Sequence, residues 1–501
     1  MTLRSYNTIK QATAILVCGL LALPLHGQQR TMEEIREIAT RFSKKKALRS
    51  ESTLQLRAHS KELTPDARLT DRAEAYYLFT APKEQSGFII VSGDERMPEV
   101  LAYSDENEFD VNNIPPNVKY WLQTYVEEYI RLQNARVQLN AEGNIEVLPD
   151  GVQPLLGNNT WGQEDPFNRL CPMYRKERCV VGCVATAMAQ VMRYYSYPEY
   201  GSGSSDYWTQ TLHLHVQRDF SQSKFLWDLM PASYQRVFSD DQAQAVAELM
   251  YSCGASVQMD YGPASKGGSG AYQHVLVQAF VEHFHYDKDA AILERDYCST
   301  QEWQQLLVNE LNQGHPVNYA GVSRMDGGHS FVLDGYRVSS MSKYPDYHVN
   351  WGWNGSCNGY YQIANLNPDG YNFSSYQQML VGIKPDDGID ADRNILCSEA
   401  LTLAETPSQL NGPIRVRTSS IYNASYQTFD GELAIGLICN DKPDTLLLGA
   451  QRMKKLPFYE ELEGFSIEAM LPDTLTGTSY TLKLFSRSSS SKVWNQVYSS
   501  K

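Results

Sequence analysis

The chain reads as an α+β protein built on an antiparallel sheet and followed by a small β-sandwich. Three observations point there. In its middle region amphipathic helical runs precede strand-like runs, the order expected of an α+β fold rather than of alternating βα units. Beyond Asp390 the texture changes to alternating or apolar strand-like runs between polar turns. The length, 501 residues with 42% apolar, suits about three domains of ordinary size. A formal net charge of −14 argues against nucleic-acid or anionic-membrane partners, since both favour a basic face.

The first 27 residues read as a targeting segment. Arg4 and Lys10 provide a positive start, residues 12–23 a mostly apolar run too short to span a bilayer, and small residues around Gly27 permit cleavage. Cys18 follows Val17, where lipoprotein processing wants a small residue, so lipidation is not expected. No later stretch approaches the length of a transmembrane helix. The expectation is an exported protein, secreted or held in the periplasm or at the cell surface. Of nine cysteines, eight remain after Cys18 is set aside. Cys171 and Cys179 bracket a short loop and could pair, but this is no dense disulfide scaffold.

Thr31 and Glu34 form a capping box before Ile35, Ile38 and Phe42, so a helix opens the exported chain. The polar run 43–74 reads as an exposed connection. Residues 75–80 and 87–92 are β-rich and predict a hairpin; 100–104 predict a further strand. Pro115-Pro116 start a helix whose Val118, Trp121, Leu122, Tyr125, Val126 and Tyr129 share a face. Residues 28 to about 135 are thus expected to form a compact α+β unit of their own, with 136–153 as linker. In the next region, 201–205 and 266–270 read as flexible loops, and 243–251, 272–284 and 301–313 as helices. Strands are expected at 317–322, 330–336 and 347–351. The sandwich strands are expected at 414–417, 433–439, 465–471 and 480–485.

Chemistry concentrates on Cys183. Val184, Ala187, Met188, Val191, Met192 and Tyr195 recur at three- and four-residue steps, giving a helix with Cys183 in its first turn after a glycine. Unpaired N–H groups and the helix dipole converge there and favour a thiolate. The plain alternative is a small buried hydrophobe or half of a disulfide. A nucleophilic thiol needs a base, a group that orients the base, and donors for the oxyanion. His329, at the start of an apolar strand after Gly327-Gly328, is the base candidate. It lies 146 residues downstream, the separation expected of papain-like enzymes. In HVNWGWNG, Asn350 and Trp351 fall on opposite strand faces, so without a bulge only one can meet the imidazole. Gln163 could join the Cys183 N–H as an oxyanion donor. His213/His215 and His283/His285 have HxH spacing but no further ligand pattern for zinc. Asp334 falls on the face opposite His329 and reads as structural.

The combination resembles the streptopain family of papain-like cysteine peptidases. WGQ at 161–163, GCVATAMAQVM at 182–192, MDYGP at 259–263, GGHSFVLDGY at 327–336 and HVNWGWNG at 348–355 occur in family order. GFIIVSGD and VLAYS resemble the family's inhibitory prosegment more loosely. The resemblance implies a papain-like catalytic domain at 153–388 and a prosegment at 28–152 that acts as the chain's own inhibitor; the chain departs from the shortest members by carrying the sandwich, 389–501. It implies Cys183 as nucleophile, His329 as general base and acid, and Gln163 as oxyanion donor. Trp351 resembles the aromatic residue packed beside the histidine, with Asn350 its rival. Gly267, Gly268, Ser269 and Gly270 are similar to the substrate-binding loop, joined by Gly328 and Trp353. Protein or peptide substrates are implied, with no cofactor and no metal. Two other readings keep the fold: a thiol acyltransferase, in which an amine intercepts the thioester, and a non-catalytic surface-binding or adhesion module.

Overall fold

The computed structural model describes residues 29–45, 54–69, 74–81, 87–134, 147–148, 150–323, 327–338, 344–363, 377–389, 395–404, 411–441, 444–473, 475 and 479–499. The expected targeting segment and most of the expected linker lie outside these residues.

Helix α1 (Met32–Lys45) starts at the box anticipated from sequence: the Glu34 N–H donates to the Thr31 hydroxyl at 3.3 Å, and the Thr31 N–H donates to the Glu34 carboxylate at 2.6 Å. Strands β1 (Gln55–His59), β2 (Tyr76–Thr80), β3 (Phe88–Ser92) and β4 (Val100–Ser104) follow as an antiparallel meander. β1 falls in the run expected to be a connection. Only Ala58 of its residues is buried, so main-chain pairing to β2 holds it, and pairing of that kind leaves no hydrophobic alternation to read. Four helices carry most of the remaining helical structure: α2 (Pro116–Asn134), α3 (Cys183–Tyr195), α4 (Asp240–Ser256) and α5 (Thr300–Asn312). Ser239 with Gln242 caps α4 and Ser299 with Glu302 caps α5. Residues 272–284, expected as one helix, divide into an α turn at Val275–Gln278 and a π turn at Ala279–His283. The 201–205 loop enters a strand, Ser204–Trp208, which pairs with His215–Asp219 as a hairpin.

The central strands are β5 (Ala291–Glu294), β6 (Val317–Ser323), β7 (Gly327–Arg337), β8 (Asp346–Asn350), β9 (Gly359–Tyr361) and β10 (Gln378–Val381). They continue the N-terminal meander in a single sheet, in the order β1-β2-β3-β4-β9-β8-β7-β6-β10-β5. The seam is Tyr360 opposite Tyr103 and Tyr361 opposite Ala102. The N-terminal region is therefore not a unit with its own sheet. It also shares a core. The apolar stripe of α2 is buried against the β7–β8 face, with Trp121 and Phe331 rings 6.0 Å apart. α1 covers the other face of the meander through Ile35, Ile38 and Phe42.

Alternation along β7 divides the middle region. Phe331 and Leu333 join the core shared with α2 and α5, while Val332 joins the core built on α3 and α4. The C-terminal region is a two-sheet sandwich as expected. Strands β11 (Leu396–Ser398), β12 (Pro413–Asn423) and β15 (Glu461–Met470) belong to one sheet. Strands β13 (Gly431–Cys439), β14 (Thr445–Arg452) and β16 (Tyr480–Ser488) belong to the other. Ile414, Val416, Ile435, Ile467 and Leu484 fill the space between. The sandwich caps the exposed edge of the large sheet: the Ile292 N–H donates to Ala424 O at 2.9 Å and the Tyr426 N–H to Ala290 O at 3.0 Å.

Candidate active site

Cys183 is the first residue of α3, and the backbone leading into it is specialised. Gly182 has φ +92°, and a Cβ there would lie 2.8 Å from Met259 Sδ and 3.1 Å from Ser269 O. Only glycine suits both the conformation and the space. The nine residues 184–192 that follow are all buried, so α3 is anchored along its length and holds the half-buried Cys183 at its start. The backbone N–H groups of Ser330, Val184 and Cys183 itself favour the charged form of its thiol. The helix that begins at Cys183 packs on β7, the strand that carries His329.

One expectation is reversed here. The helix N-terminus was expected to acidify the thiol, whereas burial raises its pKa, and the three backbone donors only partly offset that. Taking a thiolate out of water costs more than those N–H groups return in this state.

His329 is half-buried and pairs in register with Gly321 of β6. The ring of Tyr120, from α2, lies 6.0 Å from the His329 ring. The same tyrosine occupies the space above Gly321, where a Cβ would come within 2.8 Å of Tyr120 Cε1. Two residues of α2 thus reach the site: Tyr120 meets the histidine, and the Asn117 amide donates to Trp351 O at 2.8 Å. Sequence reasoning missed both. It followed the apolar stripe of α2, and Tyr120 lies off that stripe with nothing local to mark it.

Asn350 and Trp351 do face opposite ways. The Asn350 side chain turns toward α3: its oxygen accepts from Gln190 Nε2 at 3.0 Å and from the Gly352 N–H at 3.1 Å, and its amide donates to Asn159 O at 2.8 Å. Trp351 is fully buried, 4.6 Å from the Phe331 ring, and its indole N–H donates to Cys357 O at 3.1 Å. Phe331 and His329 share a face of β7 by alternation, so Trp351 lies on the histidine's side of the sheet. Gln163 is buried, and its carbonyl accepts from the Val181 N–H at 3.0 Å, which lays its segment alongside the approach to Cys183.

The loop 266–270 packs against the segment that leads into Cys183. Gly267 and Gly268 have φ +92° and +81°. Ser269 is turned inward: its hydroxyl donates to Val180 O at 2.7 Å and accepts from the Gly262 N–H at 3.0 Å. Its side chain pins the loop and is not presented to a ligand in this arrangement. Gly270 bridges Asp260 through paired backbone bonds. Gly328 is exposed at the start of β7, and Trp353 packs, half-buried, against the larger core.

Other candidates resolve into structural roles. Asp334 is fully buried, bonds His348 Nδ1 at 2.6 Å and accepts from the Leu156 N–H at 3.0 Å. His215 pairs with Asp206 at 2.7 Å, and His283 bonds Ser202 O at 3.0 Å. Cys171 and Cys179 are both free thiols. The loop they bracket is closed instead by the Cys179 N–H to Pro172 O at 3.0 Å and the Arg178 guanidinium to Cys171 O at 2.8 Å.

Residues 161–361 match the peptidase C10 family, and residues 28–129 match the Spi protease inhibitor family. Streptopain of Streptococcus pyogenes is 34% identical over 326 residues, covering 60% of this chain and 78% of that protein. The chain belongs to the peptidase C10 family. It is a cysteine-type peptidase with an inhibitor-like N-terminal segment. The family match spans Gln163, Cys183, His329 and Trp351 together. The thiol protease/hemagglutinin PrtT of Porphyromonas gingivalis is 31% identical over 368 residues; the match covers 69% of this chain but 40% of that longer protein. Among solved structures, a fragment of prointerpain A from Prevotella intermedia superposes with TM-score 0.55 at 32% identity, covering 66% of this chain and 100% of that one. No helix among the described residues is long and apolar enough to cross a membrane.

Proposed function

We propose that this chain is an exported cysteine endopeptidase made as a zymogen. Residues 1–27 direct export, 28–152 inhibit, 153–388 cleave, and 389–501 form the appended sandwich. The observation that carries this reading is the junction of α3 and β7: the helix that begins at Cys183 packs on the strand that carries His329, and the backbone N–H of Ser330, the residue next to that histidine, favours the thiolate. Cys183 attacks a peptide carbonyl, His329 takes the thiol proton and returns it to the leaving amine, and water then releases the acyl-enzyme. Gln163 and the Cys183 N–H receive the oxyanion. Trp351, on the histidine's side of β7, shields the ion pair. Gly267, Gly268, Gly270, Gly328 and Trp353 border the substrate, with Ser269 holding their loop.

The test is active-site alkylation with peptide mapping, run beside Cys183→Ala on a denatured protein. The expected outcome is label on Cys183, loss of cleavage by at least about 10³-fold in the variant, and a variant that stays full length where wild type shortens itself. A processed protein with unlabelled Cys183 and no cleavage would return the balance to a binding module.

A further inference from the structure

The sandwich contains no histidine and no grouping that resembles a site, yet one of its side chains is built into the wall behind the nucleophile. The connection between β14 and β15 lays Tyr459 parallel on the ring of His274, with centroids 4.7 Å apart and planes 9° from one another. The Tyr459 hydroxyl donates to Glu294 Oε1 at 2.5 Å and accepts from Gln378 Nε2 at 3.2 Å. Strands β5 and β10 therefore fix the ring. His274 directly follows the buried Gln273, whose amide donates to Asn318 Oδ1 at 2.6 Å. The same oxygen accepts from the Ser330 hydroxyl at 2.9 Å. Ser330 lies on β7, on which the Cys183 helix packs, next to His329, and its backbone N–H favours the Cys183 thiolate. A run of contacts thus joins the sandwich to Ser330, beside His329 on the strand that the Cys183 helix packs against.

We propose that Tyr459 is a positioning residue of the peptidase: by clamping His274 it sets Gln273, Asn318 and the Ser330 N–H that favours the Cys183 thiolate. The proposal rests on Cys183 being the nucleophile. The physical ground is that a donor to a developing thiolate acts only when held in place, and a shift of about 1 Å at a supporting group is enough to be felt in rate. A stack that merely docks the sandwich would behave like any other contact of that interface. Lys483 provides the comparison: it meets Glu302 at 3.2 Å across the same interface, away from the Gln273–Asn318–Ser330 run.

The experiment uses the processed enzyme with its sandwich intact, in wild-type, Tyr459→Ala, Tyr459→Phe and Lys483→Met forms. It measures the rate of Cys183 alkylation by iodoacetamide, kcat and KM on an unfolded protein substrate, and the thermal melt. Tyr459→Ala is expected to slow alkylation and lower kcat by about fivefold or more, with KM changed less than about twofold. Tyr459→Phe keeps the stacked ring but loses the two bonds that fix it and is expected to fall between wild type and Tyr459→Ala, and Lys483→Met leaves both rates unchanged even where its melt falls. Wild-type alkylation in Tyr459→Ala, or equal slowing in Lys483→Met, overturns the proposal. Should Tyr459→Ala lack a cooperative melt, Asn318→Ala carries the same expectation with the sandwich contact untouched, and a wild-type rate there overturns it. Absence of alkylation at Cys183 in wild type would instead remove the underlying reading.

Discussion

At the scale of single residues, the nucleophile is governed by two opposing effects. Backbone N–H groups at the start of α3 and from Ser330 favour the thiolate; burial opposes it and is the larger. The same balance makes Gln163 informative. Its main chain is tied beside the approach to Cys183, and the proposed role of its side chain appears only when an oxyanion forms. Gln163→Ala is therefore expected to lower kcat by about 10²–10³-fold with little change in KM. Steady-state kinetics on a single peptide check this; a change confined to KM would make Gln163 a substrate contact instead. Asn350, by contrast, is spent on Gln190, Gly352 and Asn159, a set of bonds that locks β8 to α3.

At the scale of elements, α2 performs two jobs with two faces. Its apolar stripe fills the core beneath β7 and β8, and Tyr120 sits over Gly321 beside His329. Tyr120→Ala vacates that seat without touching the stripe. We expect it to shorten the lag before self-processing by several-fold while leaving the melt of the full-length chain within a few degrees. Gel time courses at equal protein concentration measure the lag. An unchanged lag would assign inhibition to α2 as a whole and not to this ring. The glycine opposite the histidine is what makes room for the ring.

At the scale of the whole molecule, buried acids that stay protonated set an alkaline limit. Burial pushes Cys179 up to about 11 and Cys357 and Cys397 up to about 12, and raises Tyr125 and Tyr319 as well. In the unfolded chain cysteine titrates near 8.5 and tyrosine near 10. Below about pH 8.5 both states keep these protons and the contribution is fully present. Above it the unfolded chain releases protons the fold retains, so stability falls with rising pH until the folded groups themselves titrate. Urea midpoints between pH 7 and 10.5 should be level up to about pH 8.5 and then decline. A midpoint that rises over that upper range contradicts the assignment. The sandwich belongs to this scale too. A chain ended near residue 388 would uncover the β5 edge and remove the backbone bonds to Ala424 and Tyr426. It is expected to melt lower and to aggregate more readily than the full chain, which light scattering during a thermal ramp would record.

Much of the fold is legible in the sequence. The helix behind Cys183 and the strand behind His329 each carry their own periodicity, and the capping box at Thr31 is a local exchange of hydrogen bonds. Four of the sandwich strands show in the sequence as alternating or apolar runs, whereas β14, with none of its residues buried, was not expected. These are properties of neighbours along the chain, so the chain alone determined them. Tertiary structure decided what depends on distant partners. β1 exists because β2 pairs with it, and the N-terminal meander joins the catalytic sheet because β4 meets β9. Cys171 and Cys179 are free thiols in a loop that the Cys179 N–H and the Arg178 guanidinium close. Tyr120 reaches His329, and Tyr459 reaches His274, only once helices and strands far apart in sequence have packed. The thiol's shift depends on the same packing: a helix terminus is visible in sequence, but the burial that outweighs it is supplied by the assembled fold.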